Sequence, residues 1–254
     1  MSGYEVVLLR HGETVGYDGD LGLTPLGEKQ ARERGITLAA DITPATTVRM
    51  PHARTARAIA TAVTLRAALV DTLGDVPALG PLYPEPWFDN LRHSLHGEGV
   101  DTSAAVLARL ALSEDERPDW AREYDRFDSD YRAQAAAGGP IEYWLRNPTL
   151  YFEPPHVAAH RMWRGIATVG AQAPADLLVL VATHSAPMRA FAATALGADP
   201  GEPDNLEEIR IRVRPGGGAT VTFREHVVEM TVPPHLPPWI DRDWFESYGR
   251  DQAG

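Results

Sequence analysis

Two stretches constrain this fold more than any others. Tyr4 to Leu9 (YEVVLL) and Leu177 to Ala182 (LLVLVA) are β-rich and apolar without alternation. A strand that is apolar at successive positions is buried on both faces, which places it inside a largely parallel sheet. Helical signals separate the strands. Thr24-Pro25-Leu26-Gly27-Glu28 reads as a helix start, with Thr24 as N-cap and Pro25 at the first position, running to about Ala40. Thr46 to Met50 is a short strand. From Ala53 to about Val70, Ala56, Ile59, Ala60, Val63 and Ala67 recur at spacings of three and four, which predicts a helix. Alternating strands and helices predict an α/β fold: three layers, α/β/α, around a mostly parallel central sheet. Such sheets bind ligands at the carboxyl ends of their strands. Both apolar runs lead straight into a histidine, His11 and His184.

The rest of the chain reads less sharply. Four prolines between Pro77 and Pro86 predict extended or loop structure. Residues 102 to 137 read as helical with a break at Arg117-Pro118, ending at Gly138-Gly139-Pro140. Ile141 to Pro155 is aromatic and turn-like, and His156 to about Gln172 is helical. Another helix is expected from about Pro187 to Leu196. Ile209–Arg214 and Ala219–Arg224 flank Pro215-Gly216-Gly217-Gly218 as a hairpin.

Composition narrows the chemistry. The chain has no cysteine, so disulfides, thiolate nucleophiles and cysteine-held metals are excluded. The net charge of −11 disfavours nonspecific binding to nucleic acid or anionic membrane, while a locally basic pocket could still take a small anion. No apolar run has the length of a membrane span and none reads as an export signal, so the cytoplasm is the expected compartment.

The most informative stretch is Arg10-His11-Gly12-Glu13-Thr14. A histidine just past a buried strand sits where the sheet opens to ligand. Gly12 permits a sharp turn and close approach to a ligand, and Arg10 offers a planar fork for phosphate oxygens. In isolation the tripeptide reads equally as an arginine paired with a carboxylate beside a strand-capping histidine.

Four stretches stand in order: Leu8 to Thr14, Leu23 to Ala31, Met50 to Ala56 and Val181 to Ser185. Together they resemble the histidine phosphatase superfamily, also called phosphoglycerate mutase-like. The resemblance covers about a quarter of the chain. It implies a metal-independent, cofactor-free phosphomonoesterase acting on a small organic phosphate, with His11 as nucleophile and a phosphohistidine intermediate. It implies that Arg10, Arg54, His184 and Thr14 join His11 in holding the phosphoryl group. It also implies an acidic proton donor. Asp89, eight residues before Gly97, fits best, with Glu85 and Glu98 as rivals. The match departs from the family at Gly16-Tyr17, Met50, His93 and Ser185-Ala186-Pro187, which suggests an unusual substrate. A mutase of the same fold and a noncatalytic phosphate-binding protein are the competing readings.

The resemblance further implies one domain over residues 1–254. It carries a mainly helical insertion at about 91–172 that covers the site, and a Pro/Trp-rich tail, 233–254, packs on the domain or across a homodimer. His156 and His160, with Glu153 nearby, have metal-like spacing but read better as helix-surface histidines. His93 and His96 with Glu98 are expected at the pocket rim. Arg92, Arg146 and Arg161 are candidates for contacting the rest of a substrate, or are simply salt-bridged. Trp144, Tyr151 and Phe152 form either a pocket lining or the insertion's own small core.

Overall fold

The computed structural model describes residues 3–16, 19–74, 79–95, 98–101, 139–147 and 153–234, with scattered residues between 108 and 133. Most of the helical expectation over 102–137, and the tail from 235, lie outside the described residues. The strands are β1 (Tyr4–Arg10), β2 (Thr47–His52), β3 (Leu79–Pro84), β4 (Arg92–Leu95), β5 (Glu98–Asp101), β6 (Leu177–Thr183), β7 (Glu208–Val213), β8 (Gly218–Phe223) and β9 (His226–Thr231). The α-helices are α1 (Pro25–Leu38), α2 (Ala56–Leu73), α3 (Pro140–Arg146), α4 (Pro155–Val169) and α5 (Ser185–Leu196).

Seven strands form one sheet in the order β3-β2-β6-β1-β7-β8-β9, and β4-β5 form a separate pair. The first four are parallel and the last three extend the sheet antiparallel. The fold is thus the expected three-layer α/β/α, with a parallel core. The two apolar strands sit side by side at its centre, β1 against β6 in register from Tyr4 opposite Leu177 to Arg10 opposite Thr183.

The unbroken apolar character of β1 follows from its two covered faces. Val6 and Leu8 pack with Met162, Trp163 and Ile166 of α4 and Met188 and Phe191 of α5. Val7 and Leu9 point the other way, against Leu38 of α1 and Leu65 and Leu69 of α2. Helix α4 is therefore part of the sheet's own outer layer. The apolar face of α4 is spent on the main core.

Local chemistry sets the element ends. Thr24 caps α1, its hydroxyl accepting from the Gly27 N–H at 3.0 Å. Helix α2 starts three residues later than predicted because Thr55, in extended conformation, is its N-cap. Strand β3 forms despite Pro81 and Pro84, since it lies at the sheet edge, where a missing N–H costs little. A short helix, α3, replaces the turn expected after Ile141, with Pro140 at its start and Gly139 at a φ of 83° before it. Helix α5 begins at Ser185, ahead of Pro187, because a proline in the first turn gives up no helical hydrogen bond. No signal marked β9. Its pattern of exposed and half-buried residues is that of an edge strand. Among the described residues no helix is long and apolar enough to cross a membrane.

Candidate active site

The register of β1 on β6 brings His11 and His184 together. Arg10 pairs with Thr183, so the next residues leave neighbouring strand ends side by side, and the His11 N–H donates to the Thr183 carbonyl at 2.9 Å. The two rings meet edge to face with centroids 5.4 Å apart, and each residue is only 2% exposed.

A hydrogen bond assigns the ring proton of His11. His11 Nδ1 lies 2.7 Å from the Gly12 carbonyl, which can only accept. Nδ1 therefore carries the proton and Nε2 is left with its lone pair. On His184, Nε2 lies 2.8 Å from the Thr55 hydroxyl. That hydroxyl also accepts from the Ala58 N–H and keeps a second lone pair, so it can either donate to His184 Nε2 or accept from it. The other ring nitrogen of His184, Nδ1, is a buried atom with no partner among the described residues. One ring presents a lone pair and the other a buried nitrogen without a described partner.

Burial, the larger cause, and then the positive charge of Arg57 and Arg10 keep His11 neutral, its pKa lowered to about 3; the Gly12 bond opposes this. His184 is lowered well below its ordinary value by burial, then by Arg57, His11, Arg161 and Arg10. His93, buried beneath the rim, is lowered by burial to about 3. Between about pH 6.5 and pH 3 the unfolded chain binds protons that the folded chain does not. The stability from these histidines is complete above pH 6.5 and is lost as the pH falls through that window, by up to about 1.4 kcal/mol per pH unit for each. Urea unfolding followed from pH 7 to pH 4.5 should show this decline. A flat profile would mean that the rings are not held neutral.

The surroundings hold the pair rigidly. The His11 carbonyl accepts from Asn205 Nδ2 at 2.8 Å, and the Gly12 N–H donates to the Thr61 hydroxyl at 3.0 Å. Gly12 is required by packing between main chains rather than by a ligand. A Cβ there would stand 2.6 Å from the Gly27 carbonyl oxygen, and one on Gly27 would stand 2.1 Å from that of Glu13. The two glycines let the loop after β1 cross α1 backbone to backbone. Thr24 reinforces the crossing by donating to Glu13 Oε1 at 2.9 Å.

The other expected residues fall in different places. Arg10 donates to the Pro203 carbonyl at 2.5 Å and lies 3.1 Å from a Glu202 carboxylate oxygen. Thr14 donates its hydroxyl to the Gly22 carbonyl at 2.8 Å, tying the loop rather than facing the histidines. Arg54 is at the mouth, its side chain 56% exposed, and its main-chain N–H, Nε and Nη2 all donate to Asp89 at 3.0, 2.8 and 2.5 Å. Asp89 itself is 3% exposed. Glu85 accepts from the Trp87 N–H and lines a groove with Arg49, Tyr83 and Thr168. Burial and the charge of Asp89 raise its pKa, while the Trp87 bond opposes them. The side chain of Glu98, and His96 altogether, lie outside the described residues, as do Tyr151 and Phe152.

The buried guanidinium whose charge bears most on both histidines is Arg57, which sequence reasoning passed over. It is 2% exposed. The available signal was helical spacing: Arg57 and Thr61 are four apart on α2, polar residues on its buried face. Asn205 carried no signal.

Glu153 is not grouped with His156 and His160; it forms a buried pair with Arg161. Among the described residues no three His, Cys, Asp or Glu side chains group as metal ligands. Arg146 pairs with Glu142 on the surface of α3, and Trp144 is buried with Leu91, Ile141, Ala158 and Ala190.

No family model matches the sequence, and no curated protein aligns with it. Solved structures do match in fold. YhfR of Bacillus stearothermophilus is 17% identical, with a TM-score of 0.55 over 92% of this chain and 98% of that one. A phosphoglycerate mutase from Bacillus anthracis is 16% identical, with a TM-score of 0.54 over 88% and 92%. A mycobacterial glucosyl-3-phosphoglycerate phosphatase is 18% identical, with a TM-score of 0.53 over 83% and 91%.

Proposed function

For a chain with the histidine phosphatase, or phosphoglycerate mutase-like, fold, we propose a metal-independent phosphomonoesterase that hydrolyses a small organic phosphate through a phosphohistidine on His11. The supporting observation is the pair of neutral imidazoles at adjoining strand ends, one with its lone pair on Nε2 and one with a buried Nδ1 that no described residue bonds. A site that only bound phosphate would need donors alone; the Nε2 lone pair of His11 would repel a phosphate oxygen but can attack phosphorus.

In this reading His11 Nε2 attacks in line. His184 Nδ1–H and the Arg57 and Arg10 guanidiniums stabilise the charge on the equatorial oxygens. The incoming dianion competes with Asp89 for the exposed Arg54, and Asp89, released from that pair, takes up a proton from water and delivers it to the leaving oxygen. Water then attacks the phosphohistidine, with Asp89 taking its proton. We place the reaction in the cytoplasm, the compartment expected where no stretch reads as an export signal.

The test is phosphate release from a panel of monoesters after prolonged dialysis against EDTA, with and without a bisphosphate primer. Release without primer is expected. Isomerisation that requires the primer would make the protein a mutase, and tight phosphate binding without turnover would make it a binding protein. Activity lost to EDTA and restored by zinc or magnesium would refute metal independence.

A further inference from the structure

We propose that Arg161, on α4, is a positioning residue that fixes Asp89 by its main chain; this rests on the proton-donor role given to Asp89 above. Arg161 is 5% exposed, and all five of its guanidinium N–H groups are used. Nε and Nη2 donate to the two carboxylate oxygens of Glu153 at 2.6 and 2.8 Å. The remaining three donate to main-chain carbonyls: Nη1 to Trp87 at 2.7 Å and to Asp89 at 3.0 Å, and Nη2 to Asn90 at 3.1 Å. The carbonyl skipped in this series, that of Phe88, accepts from the Thr183 hydroxyl at 2.5 Å, and Thr183 is the residue before His184. Four successive carbonyls, 87 to 90, are thus pinned from inside the domain.

From this pinned main chain the Asp89 carboxylate reaches Arg54, with Arg92 Nη2 4.0 Å away. A core-only ion pair would not need this geometry, since Glu153 by itself satisfies Nε and one Nη2 proton. The other three donors are all spent on the segment that carries Asp89. Glu153 is itself 2% exposed and tied on both sides: its N–H donates to the Arg92 carbonyl at 2.8 Å, and its carbonyl accepts from Trp144 Nε1 at 3.0 Å. The position of Asp89 is thereby coupled to α3 and to the chain that leads into α4. A lysine cannot replace the fork, because one ammonium cannot reach acceptors spread around a planar guanidinium.

Two variants test this. Arg161→Lys keeps the charge and loses the fork. Arg161→Met combined with Glu153→Leu removes both charges, so it strands no buried charge but frees the carbonyls of Trp87, Asp89 and Asn90, whereas Arg161→Lys strands fewer carbonyls; the two variants fail to fold for different reasons, and either one that folds tests the proposal. Single-turnover phosphorylation of His11 is measured with an alkyl phosphate, which needs a proton on its leaving oxygen, and with nitrophenyl phosphate, which does not. The alkyl rate should fall about 10–100-fold, the scale of a misplacement near 1 Å, with the nitrophenyl rate little changed. In an Asp89→Asn background neither variant should lower the alkyl rate further. Hydrogen exchange at the Arg54 main-chain amide, which donates to Asp89, should quicken in both variants whether or not the protein proves to be a phosphatase. Unchanged Arg54 exchange in a folded variant, equal losses with both esters, or losses that add to those of Asp89→Asn would overturn the proposal. Faster Arg54 exchange in a protein that never phosphorylates His11 would instead leave Arg161 as the anchor of Asp89 and remove the phosphatase reading.

Discussion

His11→Ala should abolish turnover, by about 10⁴-fold or more, and leave the fold intact. A nucleophile that forms the covalent intermediate has no substitute among its neighbours, and losses of this size are typical when such a group is removed. The fold should survive because the segment is held by main-chain bonds that alanine retains: the N–H at position 11 to Thr183 and the carbonyl at position 11 to Asn205. The ring bonds the carbonyl of the next residue, Gly12, and alanine frees that carbonyl without stranding a charge. Rapid quenching of wild type with radiolabelled substrate should trap an acid-labile, base-stable phosphoenzyme that is absent from the variant. Label on any other residue would end the assignment.

Arg57→Ala should lower kcat/KM by about 10²–10³, the scale for one preorganised donor in a water-excluded site. Arg54→Ala should cost clearly less. The difference follows from burial. Arg57 is 2% exposed and its charge acts on both rings. The Arg54 side chain is 56% exposed and is neutralised by Asp89 in the resting site. A charge shielded from solvent acts at a lower effective dielectric, so its loss is felt more strongly. The comparison requires kcat/KM and the inhibition constant of inorganic phosphate for both variants. Larger effects from Arg54→Ala on both quantities would return the main phosphate contact to Arg54.

The physical reason for this reassignment also separates what was legible in the sequence from what was not. The two apolar strands were legible because burial on both faces removes alternation, and β1 with β6 indeed form the centre of the sheet. The caps at Thr24 and the hairpin after Val213 were legible because turn and cap chemistry is local. Helix α4 was legible as a helix, yet not as part of the main core, since an amphipathic period does not say which surface it faces.

The site divides in the same way. Two histidines, each one step past a buried strand, follow from sequence order, and the parallel register of those strands makes them neighbours. Which arginine lies beside them does not follow. Arg54 and Arg57 are three residues apart, and the choice depends on the helix starting at Ala56 rather than Ala53, which puts Arg54 ahead of the first turn and Arg57 within it. Nor could the chain order foretell that Gly12 is needed for Gly27, or that Asp89 is held by Arg161 from 72 residues away. Sequence by itself determined the two central strands, the Thr24 cap and the order of the chemical groups, because these depend on neighbours along the chain. Tertiary structure alone decided partners, proton positions and charge burial, because these depend on which surfaces exclude water together.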